Sequence, residues 1–186
     1  MEQVVQKEQR ARNSVIVRTS LVGVGVNVLL AAMKAAVGLL SGSIAVVLDA
    51  VNNLSDALSS VITIVGTKLA GKQPDKKHPM GYGRIEDMSA LIVSAIVLYA
   101  GITAFIESVQ KVLQPEEVSY NAVSLIVIGA AVAVKIALGI YTKAMGKSVN
   151  SGSLTASGED AINDAVLSAS VLVSVLIYMF FNINIE

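Results

Sequence analysis

Five runs of mostly apolar residues set the terms for this chain: 19–40, 44–67, 88–109, 119–142 and 153–181. Each is long enough to carry a helix across a bilayer, which takes about 20 residues. Backbone groups in lipid must be satisfied within the segment itself, so the runs predict membrane-spanning helices and an all-α integral membrane helical bundle. The fifth run is strongly apolar only from Ala161, but its helix is expected to begin near Ser153. Only "SGS" at 41–43 separates the first two runs, which therefore form a helical hairpin. Composition points the same way: the chain is 54% hydrophobic and 15% charged, against about 25% charged in a soluble domain.

Residues 1–18, "MEQVVQKEQRARNSVIVR", are charged throughout and lack the layout of a signal peptide, so they predict a cytosolic N-terminal segment. With that end inside, eleven lysines and arginines of the loops and flanks fall on the cytosolic side, and of the loop residues Lys111 alone falls outside. Such a bias follows the positive-inside rule. Lys34 and Lys135 lie within spans, but each is within about two turns of a span end and both are expected to snorkel to the interface. The balance of 14 basic and 14 acidic residues gives no signature of nucleic-acid binding.

The second run breaks its own apolar pattern in "VVLDAVNNLSDALSS". Asp49, Asn52 and Asp56 lie at i, i+3 and i+7 and share one helix face. In "GEDAINDAVLS" on the fifth run, Asp160 and Asp164 repeat the i, i+4 spacing of Asn52 and Asp56. The second and fifth spans run in opposite directions, so they can present both pairs to one point near the midplane. A charged group inside a span costs about 2.5–3.5 kcal/mol on insertion scales, and acids retained there predict a functional site. Helix capping or pairing with lysines is the plain structural explanation. It suits a single intramembrane Asp better than two matched pairs.

Asn52, Asp56, Asp160 and Asp164 together offer three carboxylates and one amide oxygen. The chain has no cysteine and His78 is its one histidine, which excludes disulfides, thiolate metal sites and multi-histidine sites. Oxygen-only donors suit hard divalent cations such as Mn²⁺, Mg²⁺ or Ca²⁺, whereas zinc usually takes a His or Cys. Three carboxylates in a low-dielectric pocket cannot all stay ionised without a cation, so a departing metal should be replaced by a proton. Metal and proton competing for one set of oxygens is the minimal chemistry of an exchanger. Intramembrane aspartyl proteases also pair acids across helices, but four polar positions that include an amide fit a shared-proton dyad poorly.

In the joint order of "GSIAVVLDAVNNLSDALSS" (42–60), "KQPDKKHPMGYGRIE" (72–86) and "GEDAINDAVLS" (158–168), the chain resembles the cation diffusion facilitator family over almost its whole length. The resemblance implies a transport site built from x-x-x-Asp motifs on the second and fifth spans. The matching residues are Asn52 with Asp56, and Asp160 with Asp164. Zinc members usually carry His-x-x-x-Asp or Asp-x-x-x-Asp on the second span and His-x-x-x-Asp on the fifth. The Asn-Asp-Asp-Asp set looks like the manganese-exporting branch. Asp49, one turn outward, is an accessory position on the exit path. Some members hold a further metal in the loop between spans two and three through an Asp and two His residues. Asp75 and His78 match that pattern, but Tyr82 stands where the second His would be, so His78 reads as structural or interfacial. Arg84 and Glu86 in "GYGRIE" are expected to form a charged hinge that pairs with a cytosolic domain.

The family resemblance also implies six spans followed by a cytosolic domain that helps hold a homodimer. On that pattern 19–182 is the transmembrane domain, five spans of an expected six, with the sixth span and the C-terminal cytosolic domain absent from a truncated chain. The expected activity is not enzymatic. It is efflux of a divalent metal ion, Mn²⁺, as the transported substrate, coupled to proton antiport across the plasma membrane, with the lipid bilayer and a second copy as partners. Two alternatives stand beside it: export of Fe²⁺, Zn²⁺, Cd²⁺ or Co²⁺ by the same fold, and a non-transporting membrane fragment.

Overall fold

The computed structural model describes residues 2–41, 44–76, 78–113 and 122–181. Five helices occupy them: α1 (Glu2–Ser41), α2 (Ile44–Ala70), α3 (Arg84–Leu113), α4 (Ala122–Ser148) and α5 (Gly152–Phe181). The link at 42–43, Lys77, residues 114–121 and the "NINIE" tail lie outside the described residues, and with them the start of the expected fourth span. Residues 2–18, read from sequence as a separate lead-in, are the first turns of α1.

α1 packs along α2 and α4 along α5, the two most extensive contacts of the bundle. α3 lies against both α2 and α5, and α1 touches α4, so the two hairpins join into one body. α2 and α5, which carry the acid pairs, also meet directly.

The bundle is apolar outside and polar inside. Leu29, Leu91, Ile126 and Tyr99 are exposed by 61, 71, 72 and 73%, whereas Thr19, Asn27, Asn53, Thr63 and Lys135 are buried. A bundle dissolved in water would invert this arrangement, because large contiguous apolar surfaces are rarely left wet. Lipid as the surrounding solvent accounts for it. Among the described residues, three stretches are long and apolar enough to cross a membrane: Gln6–Leu40, Arg84–Thr103 and Leu125–Ser148. Asp49, Asn52, Asn53 and Asp56 make the central turns of α2 the polar part of an otherwise apolar helix.

α4 and α5 are joined by a turn over 149–151 in which Asn150 takes a left-handed φ of 51°, a conformation that Asn tolerates better than most residues. Ser151 N donates to the Gly146 carbonyl at 2.9 Å and closes the turn. Beyond it the two helices touch backbone to backbone. A Cβ on Gly158 would lie 2.5 Å from Lys143 N, and one on Gly146 would lie 2.7 Å from Thr155 N. Small residues at such crossings let helices in lipid gain van der Waals contact.

At the same end of the bundle, Arg12 of α1 donates from Nη1 and Nη2 to the Glu86 carboxylate at 2.7 and 2.6 Å. Its Nε donates to the Val149 carbonyl at 2.7 Å and its Nη2 to the Asn150 carbonyl at 3.0 Å. One guanidinium thus ties α1, the start of α3 and the α4–α5 turn. Glu86, expected to pair with a cytosolic domain, is instead taken up within the bundle. The reason is that the first turns of α1 run alongside the start of α3 and bring a planar five-donor group to the carboxylate.

Candidate cation site

Asp56 reaches inward from α2, and Asp160 and Asp164 from α5. Ala57, Ala161 and Ala165 beside them are buried, and their small side chains let the two helices approach. Asp56 and Asp160 line one narrow cavity together. The point between Asp56 and Asp164 is filled by a side chain of α4: Lys135 Nζ donates to Asp56 Oδ2 at 2.8 Å and also to Asp164 Oδ2. The side chains of Asp56, Asp164 and Lys135 are only 16, 20 and 4% exposed, so the ion pairs are largely shut off from solvent. Among the described residues, no group of three or more His, Cys, Asp or Glu side chains is disposed to hold a metal ion as it stands. The Lys135 ammonium bridges Asp56 and Asp164 instead.

Both intramembrane lysines correct the expectation of snorkelling. Lys135 sits at the middle of α4, because that helix runs past the expected 119–142 run to Ser148. Lys34 is 3% exposed and pairs with Asp49 across the α1–α2 hairpin at 2.6 Å. Pairing with lysine, the plain structural explanation, therefore holds for Asp49, Asp56 and Asp164 in this fold. Sequence carried a signal for it: an ionisable residue in mid-span calls for a partner.

Asn52 is not brought to the cluster. It lies exposed on α2, while Asn53 is fully buried and its Oδ1 and Nδ2 have no partner. A helix advances about 100° per residue, so Asn52 and Asn53 flank Asp56 on opposite sides, at roughly 40° and 60°. Helix packing alone decides which amide turns inward.

A narrow polar cavity adjoins the acids. Thr19, Ser20 and Asn27 of α1, Ser59 and Ser60 of α2, Thr142 of α4 and Ser157 of α5 line it together with Asp56 and Asp160. Ser20 Oγ, Asn27 Oδ1 and Ser157 Oγ are buried there without hydrogen-bond partners. Sequence reasoning missed the contribution of α1, which brings no acid; a lone Asn27 in an apolar run was the available sign.

The loop before α3 is organised by Asp75. Its Oδ1 accepts from His78 N at 2.8 Å and its Oδ2 accepts from Tyr82 Oη at 2.5 Å. His78 Nδ1 lies 3.4 Å from Asp75 Oδ1, and the His78 and Tyr82 rings pack at 4.5 Å. Tyr82 thus fills the second histidine's place with a phenol that donates to the carboxylate, and Asp75 acts as a turn acceptor. The hydrogen bond to Asp75, then burial and the carboxylate's charge, hold the Tyr82 phenol above its usual pKa.

Residues 20–186 match the cation efflux transmembrane domain, and the chain belongs to that family. It is therefore a multi-pass membrane protein of a transporter family and not an enzyme. An uncharacterized transporter of Methanocaldococcus jannaschii is 31% identical over 87% of this chain and 56% of its own length. The magnetosome protein MamM of Paramagnetospirillum magneticum is 32% identical over 83% and 49% respectively. The manganese efflux system protein MneS of Bacillus subtilis is 26% identical over 87% and 56%. The chain thus spans about half the length of the curated relatives it matches.

Proposed function

We propose that this membrane domain exports a divalent metal cation, with Mn²⁺ as its cargo, from the cytosol across the plasma membrane in exchange for protons. The observation that carries the reading is the gathering of Asp56 and Asp164 on one ammonium, and of Asp56 and Asp160 on one cavity, inside a bundle whose outer face is apolar. All three donate oxygen, the donor of hard cations. A relative named as a manganese efflux system protein supports the choice of metal. Fe²⁺, Zn²⁺, Cd²⁺ and Co²⁺ are the competing cargoes.

In this reading the three carboxylates bind the cation, and Asn52 supplies the fourth oxygen when α2 turns about its axis. The exchanged proton is taken up by the same carboxylates, since acids gathered in one low-dielectric site cannot all stay ionised without a cation. A cation bound to these oxygens expels that proton, and its release readmits one. Asp49, paired with Lys34, lines the outer approach; Asp75 and His78 have no metal role. The N-terminus is cytosolic, as the basic bias of that side requires, and the working unit is a homodimer.

The test is transport by the purified protein in liposomes that carry a pH gradient and an internal metal-sensitive dye. Mn²⁺ should enter, protons should leave with it, and the other four metals should move more slowly. Absence of any metal flux, or flux indifferent to the pH gradient, would contradict the reading.

A further inference from the structure

We infer that Lys135 is a tethered counter-cation: it holds the acids together in the metal-free site, and a divalent cation binds by displacing it. This role rests on the three carboxylates being the cation site. Lys135 Nζ bonds to Asp56 Oδ2 at 2.8 Å and to Asp164 Oδ2, one oxygen from each of the two helices. A hard divalent cation takes such oxygens at about 2.0–2.6 Å, so metal and ammonium cannot occupy the gap together. Without some cation there, two carboxylates would face each other in low dielectric, which is costly and would push α2 and α5 apart. The lysine therefore keeps the empty site assembled, and the metal takes over its charge.

The displaced ammonium also has somewhere to go. It carries three donors and no acceptor, so it needs buried oxygens. Asp56 lines the polar cavity, which puts the ammonium at the cavity's edge. Leu138 and Thr142, one and two turns further along the same face of α4, line it too. Asn27 Oδ1 and Ser157 Oγ stand buried in that cavity with no partner, acceptors open to a shifted ammonium. One device thus accounts for a buried lysine in mid-span and for orphaned oxygens in the adjoining cavity.

The experiment is Mn²⁺ titration and thermal unfolding of the full chain in detergent at about pH 8, where proton competition is weak. Lys135→Met should bind Mn²⁺ about tenfold more tightly, or more, because nothing has to be displaced, yet unfold at lower temperature when metal-free. Added Mn²⁺ should raise its unfolding temperature further than it raises that of the parent. Lys135→Arg keeps the charge and grips both carboxylates with a wider fork, so it should bind Mn²⁺ more weakly without loss of metal-free stability. Asn27→Leu removes the landing site and should also weaken Mn²⁺ binding while leaving the metal-free fold intact. A lysine that is merely structural would lower stability in Lys135→Met with no gain in affinity, and that result overturns the inference. If Lys135→Met cannot be purified even with Mn²⁺ present, wild-type affinity in both Lys135→Arg and Asn27→Leu overturns it instead. Asp164→Asn separates the two readings. Mn²⁺ binding that depends on Asp164 but is not tightened in Lys135→Met sinks the counter-cation alone, whereas binding indifferent to Asp164 sinks the site as well.

Discussion

Lys135 Nζ lies 2.8 Å from Asp56 Oδ2 and donates to Asp164 as well, so one side chain of α4 couples α2 to α5 at the middle of the bundle. The acids therefore do not stand as bare carboxylates around an empty point. In the proposed reading, pairing with lysine and binding a metal, which look like rival explanations in the sequence, are two occupancies of one set of oxygens.

The two asparagines of α2 give the first prediction. If α2 turns to present Asn52, Asn52→His should shift transport toward zinc, the metal that takes imidazole. Asn53→Ala should then leave the manganese-to-zinc ratio unchanged. Metal-specific uptake by inside-out vesicles distinguishes them; a ratio moved by Asn53→Ala and not by Asn52→His assigns the amide to Asn53.

Close approach of α4 and α5 gives the second. Gly158→Ala drives a Cβ to 2.5 Å from Lys143 N, and backbone cannot yield as a flexible side chain would. It should cost about 1–3 kcal/mol of stability, the usual penalty of overpacking. Gly25→Ala meets nothing within 4 Å and should be neutral or stabilising. Thermal unfolding of both variants in the same detergent reads the difference.

Arg12 gives the third. Arg12→Gln loses a bidentate pair and two bonds to carbonyls of the α4–α5 turn, at a cost of about 1–2 kcal/mol after allowance for its partial exposure. Hydrogen exchange should accelerate at Val149, Asn150 and Ser151 but not around Asp56. Glu86→Gln keeps the carbonyl bonds and should do less.

Tyr82 gives a pH prediction. Its phenol is raised above the usual value, first by the hydrogen bond to Asp75, so the neutral form is favoured in the folded loop. The stability it adds is fully present below the ordinary tyrosine pKa of about 10 and is lost as pH rises through the raised value. Ultraviolet titration of the parent minus Tyr82→Phe should show this tyrosine ionising later than about 10. Ionisation at or below that value would contradict the Asp75 contact.

Much of this was legible in the sequence. Apolar runs marked the helices, and the i, i+4 spacing of Asp160 and Asp164 put both on one face, where the structure has them beside Asp56. Helix rotation was not legible, because Asn52 and Asn53 bracket Asp56 too evenly for spacing to choose between them. The ends of α4 were not legible either. The helix runs beyond the expected 119–142 run to Ser148, and a lysine that looked two turns from the interface proved central. Asp75 was ambiguous for a different reason: a carboxylate followed by a histidine three residues later serves a turn as readily as a metal.

The most direct measurement is calorimetric titration of the purified full chain with Mn²⁺, comparing the parent, Asp164→Asn and Asp75→Asn at equal folded fraction. Asp164→Asn keeps size and removes charge, and Asp56 still holds Lys135, so the fold should survive. The account predicts Mn²⁺ binding in the parent, at least about tenfold weaker binding in Asp164→Asn, and parent-like binding in Asp75→Asn. Parent-like affinity in Asp164→Asn would contradict a cation site at the meeting of α2 and α5.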